Sequence, residues 1–100
     1  MSTQSYYIGT DLKFNVNITA SGFNQDTDPY TITVYCGNRK VVFTQDDVVV
    51  DGANHYILVN TDLLKTGTMK FVVTAEVNDD DFDHRREVDV QTVGVIKNVI

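Results

Sequence analysis

The stretch LKFNVNIT, residues 12–19, decides the fold because apolar and polar side chains alternate along its whole length. A second stretch, TMKFVVTAEV at residues 68–77, repeats this pattern near the other end of the chain. Successive side chains of a β-strand point to opposite faces, so a period of two places one set in a core and the other in solvent. The two stretches therefore predict half-buried strands of a β-sandwich.

Further short strands are predicted between and beyond these two stretches. The candidate strands lie at residues 11–19, 30–36, 40–44, 47–50, 55–60, 68–77 and 86–96. Strands of this number and spacing are typical of a sandwich. The predicted fold is an all-β, seven-stranded, mainly antiparallel Ig-like sandwich. Its core is expected to contain the following inward-facing side chains: Leu12, Phe14, Val16, Ile18, Ile32, Val34, Phe71, Val73 and Val77.

The connections between these strands follow from turn chemistry. Gly37-Asn38 and Asp51-Gly52 tolerate positive φ, which tight hairpins require, so both pairs predict hairpin turns.

The stretch TDLLKTG at residues 61–67 breaks the alternation and predicts one short helical turn near residues 61–66. Thr61 is expected to cap that turn, and Leu63 and Leu64 are expected to close the end of the core.

Composition limits the classes of function. One hundred residues predict a single domain, residues 1–100, and one cysteine excludes an internal disulfide. Cys36 falls in an alternating stretch, where a thiol acts as a small buried hydrophobe. Apolar runs are too short to span a bilayer and the first residues lack a secretion signal, so a soluble protein made in a cytoplasm is expected. The net charge of −6 argues against a nucleic-acid partner.

No constellation in the sequence predicts catalysis or metal binding. The acidic run NDDDFD at residues 78–83 fails as a calcium loop, because His84 and Val90 stand where the glycine and glutamate of an EF-hand are needed. His55 and His84 have no second imidazole, cysteine or glutamate at ligand spacing. No serine or cysteine lies in a sharp glycine-flanked turn. We therefore expect no enzyme, no cofactor and no metal, and a solvated turn at the acidic run.

Both ends of the chain carry apolar side chains, although termini are usually polar and frayed. They can form edge strands of the same sandwich, or they can contact a neighbouring subunit. We predict the second for six residues: Tyr6, Tyr7, Ile8, Ile96, Val99 and Ile100.

Four stretches in this order resemble a family of phage proteins. They are YIGTDLKF at residues 7–14, YTITV at 30–34, TDLLKTG at 61–67 and NDDDFD at 78–83. The chain resembles small β-sandwich structural proteins of tailed bacteriophages and prophages of Bacteroides-type hosts over about residues 7–96. It is similar, more loosely, to the amino-terminal domain of phage baseplate upper proteins.

The resemblance implies a virion component that binds other virion proteins and lacks enzymatic activity. Baseplate domains of this type are followed by further domains, whereas this sequence stops at Ile100. An auxiliary or decoration protein on the major capsid protein is therefore the expected function, with copies of itself as a further candidate partner. A tail, baseplate or head-fibre adaptor is the alternative.

A recognition module for carbohydrate or calcium is a second class of function. Tyr30, Tyr35, Tyr56 and the acidic run would form its surface site. The sequence has no tryptophan, the most usual platform for a sugar ring.

The acidic run leads to a first prediction. Millimolar calcium should leave the melting temperature unchanged relative to the same concentration of magnesium, because an ion that binds only the folded state must stabilise it. Differential scanning fluorimetry measures both. A rise of several degrees in calcium alone would show that the run holds an ion.

Overall fold

Residues 4–77, 81 and 85–99, which the computed structural model describes, form eight strands in two facing sheets. The strands are β1 (Ser5–Tyr7), β2 (Asp11–Asn15), β3 (Tyr30–Cys36), β4 (Arg39–Thr44), β5 (Val49–Asp51), β6 (Asn54–Asn60), β7 (Gly67–Val77) and β8 (Arg85–Lys97). One sheet has the order β1-β8-β7-β3-β4 and the other has the order β2-β6-β5. Every pairing is antiparallel except that of β1 with β8. The prediction of an all-β, mainly antiparallel sandwich is confirmed.

β7 is the central strand of the larger sheet. It pairs with β8 over its whole length and with β3 from Met69 to Ala75. Its alternate residues Phe71 and Val73 are buried and lie opposite Val34 and Ile32 of β3. The period of two in the sequence therefore builds the core face of this sheet.

The residues predicted for the core are the ones that form it or pack against it. Val16, Ile32, Val34, Phe71, Val73 and Val77 are buried, whereas Leu12, Phe14 and Ile18 are half-buried and pack against the core. The rings of Phe14 and Phe71 meet edge to face across the two sheets, with centroids 5.0 Å apart. Cys36 is free and buried, as predicted.

β2 ends at Asn15, four residues earlier than the alternation predicts. The side-chain carbonyl of Asn15 accepts the His55 N–H at 3.3 Å. The Gln25 side chain donates to the carbonyl of Val16 at 2.8 Å and accepts the N–H of Ile18 at 3.1 Å. Val16 still donates its N–H to the His55 carbonyl at 2.7 Å, but side chains bind the other two groups of that pair, so the regular ladder with β6 ends here.

Both predicted hairpin turns are present, with positive φ at Gly37 and Gly52. A Cβ atom at Gly37 would also lie 2.7 Å from the Cβ of Lys65, so this turn requires glycine for space as well as for φ. The two residues therefore join β3 to β4 and β5 to β6 as the sequence indicates.

The helical turn predicted near residues 61–66 is a 3₁₀ turn at Thr61–Leu63, and a second one lies at Gln45–Asp47. The expected cap is wrong, because Asn60 accepts the Asp62 N–H and Thr61 is buried instead. The Thr61 hydroxyl accepts the Gly9 N–H and donates to the Thr10 carbonyl, each at 2.8 Å. Leu64 closes the core as expected, whereas Leu63 is exposed.

The register of β7 leads to a second prediction. Phe71→Ala should lower the free energy of unfolding by about 3–5 kcal/mol, because it removes a buried ring and leaves a cavity between the sheets. Val90→Ala on the exposed face of β8 is the control, with an expected loss below about 1 kcal/mol. Urea denaturation measures both, and equal midpoint shifts would contradict the assigned faces.

Candidate functional site

The amino-terminal segment is a strand of the sandwich, which raises the strand count from the predicted seven to eight among the described residues. Ser5–Tyr7 pairs in parallel with β8 at Val95–Lys97. Val95 donates its N–H to the carbonyl of Gln4, and Ile8 donates to the carbonyl of Lys97, each at 2.9 Å. Residues 4–8 therefore belong to the fold of this chain.

Gly94 lets this strand approach β8. A Cβ atom at that position would lie 2.7 Å from the Gln4 carbonyl oxygen and 2.8 Å from the Tyr6 ring. Real Cβ atoms do not come so close to backbone, so the missing side chain is what admits β1.

The six residues predicted to contact a partner differ in their burial. Ile96 is 1% exposed and lies in the core of its own sandwich, which corrects its assignment to a partner surface. The reason is register, since Ile96 pairs with Tyr6 and Gly67 on the inward face of the sheet. Tyr6 and Ile8 are half-buried against the same core.

The other three terminal residues stay predictions. Tyr7 is 59% exposed and Val99 is 67% exposed, so both are accessible on the chain as described. Ile100 lies outside the residues that the structure describes.

The outward face of the larger sheet presents threonine and valine side chains to solvent, a feature that was not predicted from the sequence. One row crosses four strands through Val42, Thr33, Val72 and Val90. The adjacent row crosses the same strands through Thr44, Thr31, Thr74 and Val88. We call these eight residues the threonine–valine face.

Exposure makes this face a candidate for binding. Val88 and Val90 are 61% and 58% exposed, and Val42 on β4 is half-exposed. Contiguous exposed apolar side chains of this kind mark interaction surfaces, whereas scattered ones do not. The signal in the sequence was the presence of valine or threonine at the outward positions of four strands.

A groove about 620 Å³ in volume opens between the two sheets. We call it the inter-sheet groove, and three parts of the chain line it. Residues 14–21 form one wall, residues 87–89 and 91–93 of β8 form the other, and Phe71, Val73 and Ala75 of β7 form the floor. It exists because the three-stranded sheet is narrower than the five-stranded sheet, so no strand among the described residues covers the middle of β8.

The two charged side chains that line the inter-sheet groove are acidic, Glu87 and Asp89. Both share the inward face of the sheet with Phe71 and Val73, because Asp89 pairs with Val73 and Glu87 with Ala75. The Gln91 side chain donates to Asp89 at 2.9 Å and holds its carboxylate in place. Arg85 Nη2 donates to the carbonyl of Ser21 at 2.6 Å, which ties β8 to the facing wall at one end.

The residues considered for metal binding do not converge. His55 is buried, with Nε2 3.1 Å from an Asp26 carboxylate oxygen and with Nδ1 lacking a hydrogen-bond partner. Within the described ranges, no three histidine, cysteine or acidic side chains come together. His84 and most of the acidic run lie outside the described residues.

The three tyrosines of the proposed carbohydrate surface lie apart. Tyr30 is buried in the core, and that burial raises the pKa of its hydroxyl. Tyr35 lies on the outward face of the larger sheet, and Tyr56 lies on the outward face of the smaller one, under the Lys13 ammonium at 4.3 Å from its ring centroid. They cannot form one platform for a sugar ring.

Comparison with family models, curated proteins and solved structures found no match to this chain. Among the helical segments that the structure describes, none is long and apolar enough to cross a membrane.

Gly94 leads to a third prediction. Gly94→Ala should destabilise the protein by about 1–3 kcal/mol, because the added methyl group forces β1 away from β8. Hydrogen exchange should show weaker protection of the Val95 N–H, which Gln4 accepts in the native protein.

Thr92→Ala, on an exposed position of the same strand, is the control and should change stability by less than about 1 kcal/mol. A Gly94→Ala variant with native stability and a protected Val95 N–H would show that β1 does not need this gap.

Proposed function

We propose that this protein is a non-enzymatic structural protein of a phage particle, an auxiliary protein that decorates the capsid surface. The observation that carries the proposal is the threonine–valine face, which spreads over four strands and exposes Val42, Val88 and Val90. The resemblance to phage sandwich proteins supports the choice of a virus particle as the partner of this face.

The face suits attachment to a protein lattice. Its backbone is held in a regular sheet, so little conformational entropy is lost when a partner covers it. Burial of apolar surface contributes about 25 cal/mol per Å², so a face of this kind gives a modest affinity for each copy. On a capsid the same contact repeats many times, and linked contacts then act through effective concentration.

The charge of the chain is consistent with this position. A net charge of −6 favours an outer surface that stays dispersed in solvent and does not attract the packaged nucleic acid. A tail, baseplate or head-fibre adaptor would use the same face, and the location of the protein in the particle distinguishes these alternatives.

A particle experiment gives the fourth prediction. The double variant V88K/V90K should enter particles at about one-tenth of the wild-type occupancy or less, which corresponds to a loss of at least about 1.4 kcal/mol in binding. The reason is that two ammonium groups would have to be desolvated within the contact. Protein bands from gradient-purified particles measure occupancy, and a map of the particle gives the location.

Leu58→Lys is the control, since Leu58 is equally exposed but lies on the outward face of the smaller sheet. It should load as the wild type does. Wild-type protein that is absent from purified particles would refute the virion function itself. Native loading of a folded V88K/V90K variant would show that attachment uses another surface.

A further inference from the structure

β8 has a long free edge. One of its edges pairs with β7 from Arg85 to Ile96, whereas its other edge pairs with β1 only at Val95–Lys97. From residue 87 to residue 93, no described strand pairs with that second edge. A free edge presents unpaired N–H and C=O groups, which form a template for another strand.

The same edge already accepts an extended segment. β1 adds to it in parallel, three residues long, at the end where Gly94 allows close approach. Strand addition is therefore a mode of binding that this edge supports within the chain, and the adjacent stretch offers the same backbone groups to a second segment.

The inter-sheet groove supplies room beside that edge. The wall from Glu87 to Val93 is about 20 Å long at about 3.3 Å per residue, which matches a strand of about six residues. Its floor of Phe71, Val73 and Ala75 is apolar, so side chains that point into the groove can bury their carbon atoms there.

The two faces of β8 define what a partner strand should look like. Inward, β8 presents Glu87, Asp89 and Gln91, and outward it presents Val88, Val90 and Thr92. Cross-strand neighbours on one face stabilise a sheet when their charges are opposite or when both are β-branched. A complementary strand therefore alternates basic side chains, pointing inward, with β-branched side chains, pointing outward.

We propose that the inter-sheet groove binds an extended segment of a partner protein as an added strand on β8, with lysine or arginine side chains directed at Glu87 and Asp89. The proposal rests on the proposed function, because it names the chemistry by which a partner in the particle would be held. Basic side chains fit this position, since the inward side chains of an added strand would lie next to Glu87 and Asp89 on the same face of the sheet.

The charge of the groove and of the whole chain favours a basic partner over a second copy. The two charged residues that line the groove are both acidic, with Arg85 3.7 Å from Glu87 at one end, and the whole chain carries −6. Two copies would therefore repel each other and bring the same pair of carboxylates to the contact. A cationic segment offsets that charge and is attracted to the groove before it binds.

The test uses synthetic peptides and the full-length protein. The probe is an acetylated and amidated peptide of sequence TKVKVKT, and its matched control is TEVEVET. Calorimetry at about 0.15 M salt should detect binding of the lysine peptide and none of the glutamate peptide. Hydrogen exchange should then show new protection at alternate N–H groups within residues 87–92, because a strand bonds every second residue of its neighbour.

Two double variants separate the groove from bulk charge. E87K/D89K should lower the affinity for the lysine peptide at least about tenfold, since it places like charges opposite each other. D46K/D51K makes the same change of net charge at exposed positions outside the groove, and it should lower the affinity less than about threefold. Circular dichroism checks that both variants are folded.

Each other outcome overturns the proposal. Absence of binding at millimolar lysine peptide, equal binding of the glutamate peptide, or equal loss in both double variants would each refute a cationic strand in the groove. Binding without protection at residues 87–92 would show surface association instead of strand addition. A dimer in sedimentation that E87K/D89K disrupts would assign the edge to a second copy. None of these outcomes bears on particle incorporation, which tests the proposed function separately.

Discussion

The contact between Phe71 of β7 and Phe14 of β2 is the interaction on which the rest of the sandwich depends. The two rings meet edge to face at 5.0 Å, a geometry that aromatic pairs prefer, and they join strands of different sheets. Because β7 pairs with both β3 and β8, this contact positions the larger sheet against the smaller one. Tyr6 packs in turn on Phe14, with centroids 6.1 Å apart, so the same cluster also holds β1.

The unequal width of the two sheets decides where the molecule is open. Five strands face three, so the smaller sheet covers β3 and β7 better than it covers β8. The chemistry of β8 follows this geometry. Ile96, at the covered end, is buried, whereas Glu87 and Asp89 share its inward face further along and line a groove that solvent enters. Charged side chains are tolerated there because they do not lose their hydration.

The sequence was most informative where one face of a strand is fully buried. β3 and β7 alternate strictly, and their predicted inward residues are those that the structure buries. It was less informative where a side chain ends a ladder. The alternation of residues 12–19 continues past Asn15, but the bonds made by Asn15 and Gln25 stop the strand, and Gln25 is remote from any periodic pattern.

Two further features could not be predicted because they depend on partners that are distant in sequence. β1 exists as a strand because Gly94 leaves space for it, almost ninety residues away. The inter-sheet groove depends on the number of strands in each sheet, which alternation does not determine. From residue 87 to residue 90 of β8, the two valines face outward and the two carboxylates inward, so the usual assumption that apolar residues mark the core assigns the faces of this stretch wrongly.

The reversed pattern of β8 also bears on specificity. A long free edge flanked by exposed valines invites pairing with any extended apolar segment, and proteins limit this risk with inward-pointing charges on edge strands. Glu87 and Asp89 have that position. An uncharged strand that added to β8 would enclose both carboxylates and give them no partner beyond the Gln91 amide on Asp89 and Arg85 at 3.7 Å from Glu87, at a cost that its backbone hydrogen bonds would have to offset. A strand with basic residues at alternate positions would supply charged partners for both carboxylates. Glu87 and Asp89 would therefore exclude most extended segments and select those with basic residues at alternate positions.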